Sequence, residues 1–234
     1  VRAQVRGLTV CKTGADIALD VLVAAGLVDH VIVGWFGNPG LGTSPVVARA
    51  LEQGSLRLEE STNFAVLLRL HAAQLGIPFI PTKTLVDSDL RSKAGRVATV
   101  VDPFTGEGIT ALPALAPDVS LIHAHQSDLW GNVQMWGVTG DTVVGAEASS
   151  RVVCSVERIV ETSKIRVHPE RTVLPAHRVD AVSEIPQGAW PSYLAGEYER
   201  DSNFYQWFQS NSGDVSWMND FIARVRDEKL VVDW

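Results

Sequence analysis

Cysteine is scarce: Cys11 and Cys154 are the two thiols among 234 residues. Two thiols make no disulfide framework, and their spacing fits no metal site. Both sit in apolar, strand-like runs, so they read as buried thiols of a chain working in the reducing cytoplasm. A long apolar run is also missing. Gly26, Asp29 and His30 break the longest candidate well short of the ~18 residues of a membrane span. Val1–Gly7 carries no charged-then-apolar leader pattern, so export is not expected. Basic clusters are absent and the net charge is −7, which argues against a nucleic-acid surface. No Gly-x-Ser-x-Gly elbow, P-loop or dinucleotide fingerprint occurs.

What remains is ordinary globular composition, 46% hydrophobic and 20% charged, which excludes disordered and fibrous classes. The first third alternates short β-branched runs with amphipathic segments. Leu8–Cys11, His30–Trp35 and Leu56–Leu58 read as strands. Helices follow each: one capped by Thr13 or Asp16 and stopped by Gly26, one capped by Thr43 or Ser44 with Pro45 at its first position and ending near Gly54, one capped by Ser61 or Thr62 over 63–75. Three strand-then-helix units predict a parallel sheet covered on both faces. The middle is strand-rich: 96–101, 109–115, 119–124, 133–136 and 150–156. A last helix runs over 214–225. With no repeat and no linker, the chain is expected to form one α/β domain over 1–234 with an open, mixed, largely parallel sheet.

Four groups of residues invite chemistry. The loop Gly37-Asn38-Pro39-Gly40-Leu41-Gly42 lies between a strand and a helix, where backbone N–H groups can hold an anion; a plain tight turn fits equally well. Glu59 and Glu60 fall between a strand and a helix cap. The dipole there favours a simple capping carboxylate, and in a cleft either is a candidate acid, base or nucleophile. His123 and His125 share one face of a strand, but no third metal ligand stands at a characteristic spacing. A polar strand-end loop, with Gln126 and Asp128, is the favoured reading. Aromatics crowd the C-terminal third, from Trp190 to Trp234. They predict an aromatic core or a subunit interface rather than a base-stacking surface.

The stretch Leu121–Val133, reading Leu-Ile-His-Ala-His-Gln-Ser-Asp-Leu-Trp-Gly-Asn-Val, resembles the signature of family I CoA-transferases. Gly76–Pro81 with Asp87-Ser88-Asp89-Leu90, Ala111–Leu115, Ala146–Ala148 and Val153–Val160 resemble further stretches of that family in the same order. Pro175–Phe208 is similar to the α subunit of glutaconate CoA-transferase. The resemblance implies an open α/β fold (the NagB/RpiA/CoA-transferase-like fold) paired with a β-type subunit in a heterodimer or heterotetramer. It implies ping-pong movement of CoA between small carboxylic acids. Acyl-CoA is then a substrate, no cofactor or metal is resident, and the nucleophilic Glu belongs to the β subunit. The residues expected to bind substrate or CoA are Gly37, Asn38, Gly40, Gly42, Ser61, Thr62, Asp87, Ser88 and Gln126. Glu60 and Gln126 are this chain's catalytic candidates.

Two departures stand out. The family's strand, Gly-Gly-Phe-type loop and helix ahead of the region matching Leu8 are not found here, which affects the expected CoA site. His125-Gln126 stands where the common form has Gln and then a variable residue, so Gln126 matches only the second position. Alternatives follow from the same residues. A hydrolase of the same fold, opening the last ring of steroid CoA esters, uses an α-type Glu near the 60–62 loop; Thr62 and Asn63 fall nearer that Glu than Glu60 does. A metal hydrolase built on His123 and His125, or a non-catalytic scaffold subunit, completes the set.

Overall fold

The structure, a computed structural model, describes residues 5–92 and 95–227. In chain order it runs β1 (Leu8–Ala15), α1 (Ile17–Ala24), β2 (Val28–Asn38), β3 (Gly42–Thr43), α2 (Pro45–Glu52), β4 (Arg57–Glu60) and α3 (Asn63–Gln74). Next come β5 (Phe79–Thr82), β6 (Ala98–Val101), β7 (Gly108–Pro113), β8 (Val119–Ser127), β9 (Val133–Gln134), α4 (Thr142–Ala148) and β10 (Arg151–Ile159). The chain finishes with α5 (Thr162–Ile165), β11 (Thr172–Leu174), β12 (Ala181–Glu184), α6 (Ser202–Asn211) and α7 (Val215–Arg226). It divides into two compact units: Val1–Val66 with Lys83–Val97 and Asn203–Trp234, and Leu67–Thr82 with Ala98–Ser202.

The first unit holds the three predicted strands and the two helices α1 and α2, and α3 only begins in it. β1, β2 and β4 are parallel, with β2 in the middle, and β3 folds back on β2. Val28, Val31 and Val33 of β2 pack with Leu19 of α1, Val47 and Ala50 of α2, and Leu56. Burial of consecutive residues Val31, Ile32 and Val33 explains why β2, the central strand, reads as a β-branched run rather than an alternating one. α2 starts where a cap and a first-turn proline predict it: Ser44 Oγ accepts the Val47 N–H at 3.0 Å. β2 runs on to Asn38, past the expected end at Trp35, because pairing with β1 and then β3 keeps it extended.

Only part of the C-terminal aromatic set is core: Tyr205 is buried, Trp190, Tyr198, Trp207 and Trp217 are partly buried, and Tyr193 is exposed. Phe204 and Phe208 of α6 are buried and pack with Phe221 of α7. Trp217 stacks on Phe221 with ring centroids 5.2 Å apart and meets Trp207 edge-on at 5.0 Å. Trp234 lies outside the described residues.

The second unit holds two sheets. β5, β7 and β6 form an antiparallel three-stranded sheet. The other runs β11-β9-β8-β10-β12, with β8, β10 and β12 parallel and β9 and β11 antiparallel additions. Ala124 of β8, Val152, Cys154 and Val156 of β10, and Ala146 of α4 form the core on one face. The strands and helices thus make the mixed α/β fold that the pattern predicts, but among the described residues the strands fall into three sheets rather than the one open sheet expected. Among the described residues, no helix is long and apolar enough to cross a membrane.

Candidate active-site loops

In the first unit, two of the expected loops leave the C-terminal ends of parallel neighbours, since Val33 of β2 sits beside Glu60 of β4. Such ends are where open α/β sheets hold ligands. The loop after β2 is a tight hairpin. Leu41 N–H donates to Asn38 C=O at 2.9 Å, and Gly40 has φ +83° behind Pro39, the signature of a type II turn. Gly37 has φ +142°, and a Cβ there would stand 2.7 Å from Thr43 Cα, so only glycine fits. Asn38 is turned inward. Its side chain is fully buried, and Nδ2 donates to Gln209 Oε1 at 2.5 Å. Gln209 Nε2 in turn donates to Thr43 C=O.

The loop after β4 differs from the sequence reading in one detail. Glu59 and Glu60 lie in β4 itself, paired with Ile32 and Val33, rather than beyond the strand. Their backbone follows the β2 partner strand, whatever their side chains. The pairing even continues one residue further, since Ser61 N–H donates to Val33 C=O at 3.1 Å. Ser61 is buried, and Thr62 is the cap of α3: its Oγ1 accepts the Ala65 N–H at 3.0 Å. The Glu59 carboxylate lies against the backbone of Gly95, while Glu60 is exposed. The third expected loop places Asp87 exposed in a turn, and Ser88 Oγ accepts the Leu90 N–H at 3.2 Å.

This unit also holds a group with no sequence signal. Asp20 of α1 is 1% exposed. Burial pushes its carboxyl up to about 7; a hydrogen bond from Ser44 works against that shift and the nearby Asp16 adds to it. Asp20 Oδ2 has no protein partner. Asp16 accepts the Tyr205 hydroxyl at 2.9 Å.

In the second unit, the signature segment ends β8 and turns into β9. Asp128 closes the turn: Oδ1 accepts the N–H groups of Trp130 and Asn132 at 3.0 Å each, and Oδ2 accepts Asn132 Nδ2 at 2.8 Å. Burial alone works to raise its carboxyl, but the hydrogen bonds from Asn132, Thr162 and Trp130 outweigh it and hold the group below its ordinary value. Asn132 Oδ1 accepts the Ala176 N–H, and Gly131 takes φ +93°. The Asp and Gly-Asn of the signature therefore shape the loop. Gln126 is half-buried, and its Nε2 donates to Gln134 Oε1 at 2.7 Å.

The two histidines are occupied by protein partners. His123 Nδ1 meets Ser155 Oγ at 2.8 Å and Nε2 meets Glu157 Oε1 at 2.7 Å. Glu157 also accepts Gln187 N–H and the Tyr198 hydroxyl. These bonds outweigh its burial and hold its carboxyl low, whereas burial together with Glu157 pushes Tyr198 up to about 12. His125 is fully buried, stacks on Trp136 at 3.6 Å and bonds Ala195 C=O through Nε2 at 2.9 Å. Burial lowers its imidazole below the ordinary value. Among the described residues, no three or more His, Cys, Asp or Glu side chains gather as metal ligands.

The family model for coenzyme A transferase matches residues 1–184. The chain is 32% identical over 234 residues to one of the subunits of 3-oxoadipate CoA-transferase from Pseudomonas knackmussii, covering 97% of this chain and 82% of that one. It is 30% identical over 237 residues to the IpdA subunit of a cholesterol ring-cleaving hydrolase from Rhodococcus jostii, covering 95% and 78%. The crystal structure of glutaconate CoA-transferase from Acidaminococcus fermentans superposes with a TM-score of 0.91 at 29% identity, covering 97% of this chain and 77% of that one. The family expected from the signature segment is the one found, and the chain belongs to the coenzyme A transferases of family I as an α-type enzyme subunit.

Proposed function

We propose that this chain is the non-nucleophilic half of a CoA-transferase that acts in the cytoplasm. Bound to a β-type subunit, it moves CoA between small carboxylic acids. In the β-type partner, a Glu carboxylate attacks the acyl-CoA carbonyl and forms a tetrahedral oxyanion. Collapse gives an acyl-glutamyl anhydride and CoA thiolate. The thiolate then attacks the glutamyl carbonyl, releasing the first acid as its carboxylate and leaving an enzyme-CoA thioester. The acceptor acid reverses these steps and leaves as its CoA ester. Splitting the transfer this way replaces one difficult step by easier ones. CoA enters and leaves as substrate, with no resident cofactor.

This chain's part is to bind and to stabilise charge. Gln126, at the end of β8, offers a side-chain amide for the oxyanion. Gly37, Asn38, Gly40, Gly42, Ser61, Thr62, Asp87 and Ser88 belong to the loops expected to meet CoA or the acid. The observation that carries the reading is the likeness to glutaconate CoA-transferase over 97% of the chain. Cys154 takes no part in the chemistry. It is a buried, unbridged thiol that burial pushes up to about 12, far from reactive.

The identity to the ring-cleaving hydrolase subunit supports a second reading, in which a Glu near residue 60 of this chain carries a hydrolysis. Acceptor dependence separates the two. Glutaconate and 3-oxoadipate, named in the relatives, are dicarboxylic acids, so dicarboxylates are the first acceptors to assay with the co-purified complex. Transferase chemistry requires the acceptor and follows ping-pong kinetics; CoA release without any acceptor sinks the transferase reading.

A further inference from the structure

We infer that Gln134 is a positioning residue that fixes the amide of Gln126 and thereby aims its remaining N–H at the ligand. The inference rests on the reading of Gln126 as an oxyanion donor. Gln126 and Gln134 are direct partners in the antiparallel β8–β9 pair, so their side chains share a face. Gln134 is fully buried. Its Nε2 lies 2.9 Å from Ile165 C=O, 2.7 Å from His168 C=O and 3.1 Å from Thr172 Oγ1. A backbone carbonyl only accepts, so the NH₂ end of Gln134 must face these two oxygens. Its Oε1 is then forced toward Gln126.

Gln126 has one choice left. With its Nε2 toward Gln134, one N–H donates to Oε1 at 2.7 Å. Turned over, two amide oxygens would face each other at that distance, and each would lose a partner. Gln134 cannot turn to accommodate this without setting its own oxygen against the carbonyl oxygens of Ile165 and His168. The Gln126 amide therefore has a single orientation, and its second N–H meets no further protein acceptor among the described residues. That is what oxyanion stabilisation asks of a donor: an orientation set before the charge develops, with no reorganisation at the reacting moment. The ligand class is the tetrahedral adduct of a CoA thioester and a carboxylate.

Gln134→Met keeps length and apolar volume while removing the acceptor. In the complex with the β-type subunit it should lower kcat by about tenfold or more, short of the ~10²–10³ of losing an oxyanion donor outright, with KM little changed. Combined with Gln126→Ala it should add less than a twofold further loss, because there is no longer an amide to aim. A merely structural role would give losses that multiply. A second readout needs no turnover. In isotope-labelled protein, the Gln126 side-chain NH₂ signals should be resolved and protected from exchange, and should move to free-glutamine positions in Gln134→Met. Unmoved signals, or multiplying losses in the double variant, overturn the inference. Absence of transfer by the wild-type complex would instead defeat the transferase reading, and the amide signals would still decide the role of Gln134.

Discussion

Gly34 of β2 and Asn63 at the start of α3 touch backbone to backbone. A Cβ on Gly34 would stand 2.7 Å from Asn63 Cα and overlap the Asn63 N and Oδ1. No side chain can swing away from this contact, since two of the atoms met are main chain. Glycine is required because the helix entrance presses on the strand, not because of a special φ. Gly34→Ala should therefore destabilise the fold by about 2 kcal/mol or more, in the range of overpacking. Gly14→Ala in β1, where nothing lies within 4 Å, should be near neutral. Urea unfolding of both variants checks this, and equal midpoints would refute it.

Asp20 predicts a pH dependence of stability. Its folded carboxyl holds a proton up to about pH 7, whereas the unfolded carboxyl releases it near pH 4. Between those values the native state binds more protons, so stability falls as pH rises, by up to about 1.4 kcal/mol per pH unit. Asp20→Asn mimics the protonated form and should flatten that slope across pH 5–7. Thermal unfolding of wild type and variant over this range measures it; parallel curves would show that Asp20 does not titrate as described.

Thr62 caps α3 through its hydroxyl. Thr62→Ala should cost about 1 kcal/mol of stability, seen by denaturant titration, and Thr62→Ser should restore most of it. A substitution to Ala without loss would mean that the cap does not form. Glu60→Gln, at an exposed position, should leave transfer nearly unchanged. Loss of all activity in that variant would favour the hydrolase reading.

The sequence made the first unit legible because its signals are local. The Val and Ile of β2, Ser44 and Pro45 at the start of α2, and Gly26 with φ +66° after α1 all act within a few residues. α6 was not legible: Phe204, Tyr205, Trp207 and Asn211 are middling helix formers, and packing of Phe204 and Phe208 against α7 supplies the stability. The expected end of β4 before Glu59 failed because β2, far in sequence, sets the ladder. In the signature, the resemblance singled out Gln126, while Asp128 stood out only as part of a polar strand-end loop. Gln134 carried no signal of its own, since its role depends on carbonyls at 165 and 168 that only the folded chain brings near. Asp20 sits mid-helix among apolar residues and shows its burial only once α1 is packed.

Gln126→Ala tests the donor role itself. With the β-type subunit present, turnover should fall by ~10²–10³, the usual effect of losing an oxyanion donor, while unfolding midpoints shift little. Turnover within threefold of wild type would remove Gln126 from the chemistry.

The central claim is that the covalent CoA intermediate forms on the partner and not on this chain. Borohydride reduction of the complex after incubation with acyl-CoA, followed by peptide mass analysis, tests this directly. The account predicts that one Glu of the β-type partner is reduced to its alcohol and none in this chain. A reduced Glu in a peptide of this chain, at Glu59 or Glu60 above all, would contradict it.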